Sequence, residues 1–310
     1  MIDPPGAEGY ITGSRGIPLE VISFEVFEVP RFIPSGHGQH FWSLLEKWGR
    51  NTLAVVGEIA AGVDAKEIGY AGLKDRKGRT FQWISSPVPF PPAGRGFRFW
   101  VVKRSGKKLK VGNLLGNWFR IKFEGRPGMG RVLKELRATG VPNFFGPQRF
   151  SHSNHRIGEL LIRGKKDEAK ALMRKSRIPF TRRYFRLMED AYCSYLFNKV
   201  LSRRLGTGVM DGDVLSRFGP TGPVFGRKLR LASGVPGEIE RDVLREEGLS
   251  LKDFPGKGRR RALTVPIDPH YKAGVLRFFL PKGSYATAVL REITKSRGIK
   301  WSVTFSSSCA

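Results

Sequence analysis

The chain has 310 residues, with 55 Lys and Arg against 27 Asp and Glu and a formal net charge of +28. That length suits a substantial buried core and about two domains, and so large a cation excess is carried where the partner is a polyanion, so nucleic acid is the first expectation. With no window of about 18 uncharged apolar residues there is no membrane-spanning helix to expect, and MIDPPGAEGY lacks the pattern of a signal peptide, so a cytoplasmic location is expected.

In chain order, alternation in LEVISFEVFEV (19–29) predicts a strand, and PRFIPSGHGQ after it carries the Pro and Gly of a loop. Phe41, Leu44, Leu45 and Trp48 fall at helical spacing and predict a helix. NTLAVVGEIAAGV predicts a second, capped by Asn51 or Thr52 and ending at Gly62. IGYAGL (68–73) and TFQWISS (80–86) read as strands joined by KDRKGR, a charged connector of hairpin length, which puts Asp75 at or near a strand end. A basic stretch (103–123), a helix from Arg131 to Ala138, the loop GVPNFFGPQRF (140–150) and a very basic helical block from Ser153 to Arg204 follow. Residues 206–261 are rich in Gly and Pro and close on GKGRRR; strand patterns return in ALTVPI and GVLRFFL, and Ala288, Val289 and Ile293 share a helical face. Strand and helix chemistry at both ends of a helical, irregular block predicts an α+β domain interrupted by an insertion.

Asp75 is one carboxylate among four cations, Lys74, Arg76, Lys77 and Arg79. An Asp in a charged connector reads either as a solvated turn or as a carboxylate held ionised by its neighbours, ready to act as nucleophile or base. NFFGPQRF (143–150) gathers three aromatics around Asn, Gln and Arg, which suits a loop mini-core or a platform for an unstacked base. KRSGKKLK, RRYFR and GKGRRR together read as a phosphate-contacting surface. Cys193 and Cys309 are too far apart in sequence for a CxxC site, and the pairs His37/His40 and His152/His155 have no further ligand types around them. No P-loop, GxSxG, HExxH or GxGxxG pattern is present, which argues against nucleotide hydrolysis and dinucleotide chemistry.

GYAGLKDRKGRTFQW (69–83) resembles the signature of the TruD family of pseudouridine synthases, an AGxKD motif followed by Thr-x-Gln. FEVFEVPRFIPSGHGQHFWSLLEKWGRNTLAVVGEIA, KLKVGNLLGNWFRI and VPNFFGPQRF are also similar to family stretches. SYLFN, DGDVL, PTGPVFG, RRALTVP and FFLPKGSYATAVLREI follow in the family's order. The resemblance implies a mixed α/β catalytic core, an α+β fold, built from residues 1–152 and 262–310 and interrupted by a TruD-type insertion at 153–261. It implies an isomerase that flips a uridine out of RNA, typically uridine 13 of tRNA, and converts it to pseudouridine with no cofactor or metal. Matched by motif, Asp75 is the expected catalytic residue, Phe145 stacks on the uracil and Asn143 shapes the pocket. Lys74, Thr80 and Gln82 support the Asp motif, and Arg291 is the candidate basic partner of Asp75. The chain departs from the family at Ser151, where Gly usually follows QRF, and in RKGRT, which replaces a KxAxT-like stretch. A non-catalytic RNA-binding or RNA-chaperone protein on this fold fits the charge and aromatics equally, and a ribosome-associated structural protein fits the charge, but neither needs Asp75.

Overall fold

The computed structural model describes residues 3–60, 63–74, 76, 78–295 and 297–303. In chain order its strands and helices are β1 (Leu19–Pro30), β2 (His40–Lys47), α1 (Thr52–Ile59), β3 (Gly69–Tyr70), β4 (Arg79–Ser86), β5 (Ala93–Gly94), β6 (Phe97–Ser105), β7 (Leu114–Phe123), α2 (Gly130–Thr139), β8 (Val141–Pro142) and α3 (Asn154–Ile162). These are followed by α4 (Lys166–Lys175), α5 (Arg182–Arg203), β9 (Leu215–Ser216), β10 (Gly219–Val224), α6 (Gly234–Glu246), β11 (Arg259–Ala262), β12 (Thr264–Val265), β13 (His270–Lys272), β14 (Val275–Pro281), α7 (Ala286–Thr294) and β15 (Ile299–Trp301). The chain packs as two compact units. A sheet unit takes Pro18–Met129, Asp268–Gly283 and Ile299–Ala310, and a helical unit takes Met1–Ile17, Gly130–Ile267 and Ser284–Gly298. The insertion expected at 153–261 lies wholly within the helical unit.

The sheet unit is one mixed sheet in the order β13-β14-β7-β1-β4-β2-β6-β5, with β15 also on β1 and β3 also on β4. β1 organises it: it runs parallel to β4, with Val26 opposite Thr80, parallel to β15, and antiparallel to β7. Its alternation sends Val26 and Glu28 inward, while Phe27 stacks on Phe81 of β4 with ring centroids 4.6 Å apart.

Residues 41–47 are not the expected helix but β2, paired with β4 on one side and β6 on the other. Trp42, Ser43, Leu45, Glu46 and Lys47 are all buried, because an inner strand covered on both faces loses its period-2 signature, and the remaining spacing mimics a helix. The strand expected over 68–73 pairs with β4 only at Gly69–Tyr70, which lengthens the connector to β4. The expected position of Asp75 at a strand end lies outside the described residues, as does the Gly62 expected to end α1; α1 is capped by Asn51, which accepts from Ala54 N–H, and closes on Ala60.

The helical unit is built around α5, whose capping Thr181 accepts from Tyr184 N–H. Tyr192, Leu196, Phe197, Val200 and Leu201 recur at three- and four-residue spacing and pack with Phe144, Phe145, Phe150, Val224, Phe225 and Phe254. The segment before β1 is strapped onto this unit: Ser14 bonds Glu135 of α2, Thr12 bonds Glu292 of α7, and Ile17 N–H reaches Ile293 O. Just beyond α5, buried Arg204 grips buried Asp213 through both carboxylate oxygens, at 2.7 and 2.8 Å. Burial alone would raise the Asp213 carboxyl, but the hydrogen bonds from Arg204 and the Met210 N–H outweigh it and hold it below its ordinary range.

A depressed folded-state value contributes stability that is present above the unfolded carboxylate value of about 3.9 and lost as pH falls through the folded one. Asp213→Asn is expected to lower the unfolding free energy at neutral pH by about 3 to 5 kcal/mol, because it leaves Arg204 charged and buried. In urea titrations the gap to wild type should narrow between about pH 5 and pH 3; a gap constant with pH would remove the ion pair as its cause.

Candidate active site

In the sheet unit, the residues leading to Asp75 are held by three elements. Thr52, the first residue of α1, has an N–H with no partner inside its helix, and it donates to Lys74 O at 3.3 Å. Its hydroxyl accepts from Lys74 N–H at 2.9 Å and donates to Gln82 Oε1 at 2.8 Å. Gln82, inward on β4, returns its amide N–H to Gly72 O at 3.2 Å. The Lys74 ammonium is buried against Glu28 of β1 in an ion pair. Burial pushes the Glu28 carboxyl up, and the Lys74 charge works against that.

The residue before Asp75 is thereby fixed at its N–H, its carbonyl and its side chain. The charge of Lys74 is committed to Glu28, and Arg79, another of the four cations around Asp75, pairs with Glu46. Thr80 is buried opposite Val26 and Lys47, and its hydroxyl finds no hydrogen-bond partner among the described residues. Asp75 itself lies outside the described residues.

In the helical unit, Gly140 ends α2 with φ +74°, and a Cβ there would lie 2.8 Å from Val265 O, so only glycine suits this passage into β8. β8 then pairs with β12 and delivers Asn143. Asn143 donates through its N–H to Leu263 O and through Nδ2 to Ala262 O, and its Oδ1 accepts from Arg261 at 2.6 Å. The next residue but one, Phe145, exchanges hydrogen bonds with the Asn198 side chain on α5.

The Phe145 ring is 4% exposed. It meets Phe197 edge-on at 5.5 Å, and the Arg261 guanidinium lies 4.2 Å from its centroid. Among the described residues no carboxylate pairs with Arg261, and burial pushes its pKa down to about 10. Arg291, on α7, is buried and ion-paired with Asp3 at 2.6 Å; its guanidinium also lies 5.0 Å from the Phe144 ring.

The structure thus brings Lys74 and Gln82 together in one unit and Asn143 and Phe145 together in the other. It gives Arg291 an acidic partner in Asp3. Sequence reasoning missed Glu28, Thr52, Asn198 and Arg261 as parts of these clusters. Glu28 carried a signal, since a lone carboxylate on the inward face of an alternating strand calls for a buried cation. Among the described residues no cluster of His, Cys, Asp and Glu suited to a metal ion forms, and no helix is long and apolar enough to cross a membrane. Burial pushes the Cys193 thiol up to about 12, which makes it an inert core residue.

The family model described as tRNA pseudouridine synthase D (TruD) matches residues 6–183 and 215–293. A tRNA pseudouridine synthase D of Anaeromyxobacter dehalogenans is 35% identical over 95% of this chain and 97% of its own length. A tRNA pseudouridine synthase D of Thermus thermophilus is also 35% identical, over 94% of this chain and 90% of its own. Among solved structures, a Methanosarcina mazei protein described as a putative tRNA pseudouridine synthase D superposes with a TM-score of 0.72 at 25% identity, covering 94% of this chain and 96% of that one.

The clamp before Asp75 is open to a double-mutant cycle. Glu28→Leu should lower the unfolding free energy by about 3 to 5 kcal/mol by stranding Lys74, and adding Lys74→Met should recover most of the loss. Additive losses from the two substitutions would show that the charges do not interact.

Proposed function

Because the chain belongs to the TruD family, we propose that it is a tRNA pseudouridine synthase that isomerises a uridine, at position 13, with Asp75 as its catalytic carboxylate. The reaction breaks the N1–C1′ bond, turns the uracil and rejoins it through C5; C5 gives up a proton and N1 gains one, so nothing is consumed. The Asp75 carboxylate begins this by attacking the sugar or by taking the C2′ proton, and either route needs it ionised and held still. The observation that supports this reading is the clamp on Lys74 within a fully matched AGxKD motif. A solvated surface turn has no use for three separate anchors and a buried ion pair immediately before its carboxylate.

Each remaining residue of the matched motifs has a role in this reading. Gln82 and Lys74 fix the approach to Asp75, and Thr80 fills the buried strand position beside them. Asn143 holds the loop that presents Phe145, and Phe145 stacks on the flipped uracil. A base reaches this ring, now 4% exposed, when Arg261 withdraws from its face. Arg261 has no carboxylate partner to give up among the described residues, and a phosphate of the incoming RNA is a stronger attractor than a ring face. Arg291, held by Asp3 of the N-terminal segment, bears on the loop of Phe145 through the neighbouring Phe144 ring, 5.0 Å from its guanidinium. The segment 153–261 is the family's insertion and contributes cations for RNA grip.

Incubating an unmodified tRNA transcript pool with wild-type protein, without added cofactor, should yield a new pseudouridine at position 13. Asp75→Asn should abolish it and leave RNA binding intact; product at the wild-type rate from this variant would refute the assignment. Phe145→Leu keeps most of the core volume but removes the stacking face, and should weaken turnover by about 1 to 3 kcal/mol while costing about 1 kcal/mol of stability, so that the variant stays folded at the assay temperature. Wild-type kinetics in this variant would exclude the stacking role.

A further inference from the structure

Within the sheet unit, the connection after β1 and the loop after β6 line an open cavity of about 840 Å3. Its volume is that of a small-molecule site. Phe32 and Ile33 form one wall and are 46% and 83% exposed, while Lys107, Lys108 and Lys110 come from the other. Trp42 is the buried floor, its indole N–H donating to Lys107 O at 2.7 Å.

Both walls are pinned. Arg31 N–H donates to Asn113 O and Gly36 N–H to Arg104 O, each at 3.0 Å, and Leu109 N–H donates to the Ser85 hydroxyl at 2.9 Å. Gly38, with φ +118°, passes so close to the opposite wall that a Cβ would sit 2.3 Å from Gly106 N. The cavity is preformed.

Its chemistry is one-sided. Among the described residues no Asp or Glu lines it, and the exposed Phe32 ring has the Arg31 guanidinium 5.6 Å and the Lys107 ammonium 5.9 Å from its centroid. Lys108 is drawn toward Glu67 at 3.7 Å, which leaves Lys107 and Lys110 to face an anion. A solvent-facing aromatic ring among cations, in a hollow without carboxylates, matches a nucleotide whose base stacks and whose phosphate is bound by amines. The lining is tied to the Asp75 motif at one remove, since Gly112, between the lining residues Lys110 and Asn113, donates its N–H to Ala71 O at 2.8 Å, four residues before Asp75 in sequence.

We propose that this cavity binds an unpaired nucleotide of the RNA substrate other than the target uridine, its base on Phe32 and its phosphate on Lys107 and Lys110. The proposal rests on the reading of the protein as an RNA-modifying enzyme. It makes the cavity a second point of registration that decides which uridine lies at the catalytic motif.

The test compares the wild type, Phe32→Ala, Phe32→Trp and the double variant Lys107→Gln/Lys110→Gln, in pseudouridine formation and in fluorescence-anisotropy binding of a tRNA transcript. Phe32→Ala is expected to raise KM and Kd about tenfold with kcat within about twofold of wild type, and Phe32→Trp should restore both. The double Lys variant should reduce the slope of log Kd against log salt by about one to two. Wild-type KM, Kd and salt slope in both Phe32→Ala and the Lys variant would overturn the proposal. So would inhibition by 5′-UMP or 5′-AMP that Phe32→Ala abolishes while its tRNA KM stays unchanged, since that assigns the cavity to a free nucleotide. If wild type binds RNA but makes no pseudouridine, the catalytic reading fails, and the binding arm still decides the cavity.

Discussion

Glu28 and Lys74 meet in the interior of the sheet unit, one from the strand that organises the sheet and the other from the residue before Asp75. Two opposite charges taken out of water are each costly alone, so neither side chain can leave without stranding the other. The pair transmits the position of β1, which is hydrogen-bonded to β4, β7 and β15, directly to the motif. Thr52 and Gln82 add neutral hydrogen bonds from α1 and β4, so three elements distant in sequence converge on one residue. A buried pair of this kind adds little net stability but specifies one geometry, which is what a positioned carboxylate requires.

The +28 charge is distributed by the same logic. Among the described residues, several buried or part-buried cations have a carboxylate: Lys74 has Glu28, Arg204 has Asp213, Arg260 has Glu240 and Arg291 has Asp3, while the more exposed Arg79 and Arg98 converge on buried Glu46. With 27 acidic residues against 55 basic ones, many cations are left to an external polyanion. Arg261 departs from this pattern: it is half-buried, bonded to Asn143 and laid over Phe145 without a carboxylate among the described residues.

Much of this was legible in the sequence where one face of an element is wet. β1 and α2 carry clear periodicity, and the basic run from 153 to 204 is helical as its pattern indicates. β2 misled because burial on both faces erases alternation, and the strand before Asp75 was overestimated because an apolar run also serves a packed, unpaired loop. The motifs pointed to Asp75, Asn143 and Phe145 through resemblance, but their supports were not local. Thr52 reads as a helix start, Arg261 as one of three consecutive arginines, and the partner of Arg291 lies 288 residues away at Asp3. Contacts that far apart leave no spacing for a sequence to display.

The strap formed by residues 3 to 17 has a consequence for how the molecule is made. Its anchors, Glu292 and Arg291, belong to α7, so Thr12 waits for a partner synthesised 280 residues later. The sheet unit is likewise completed by β14 and β15, long after β1 and β7 have been made. Neither unit can finish until these late elements emerge from the ribosome, although domains commonly fold one after another during synthesis. The core cluster around α5 is complete by Leu263, so the parts left waiting are the strap and the sheet positions that β14 and β15 fill, and the excess of like charge disfavours their association between chains over that interval.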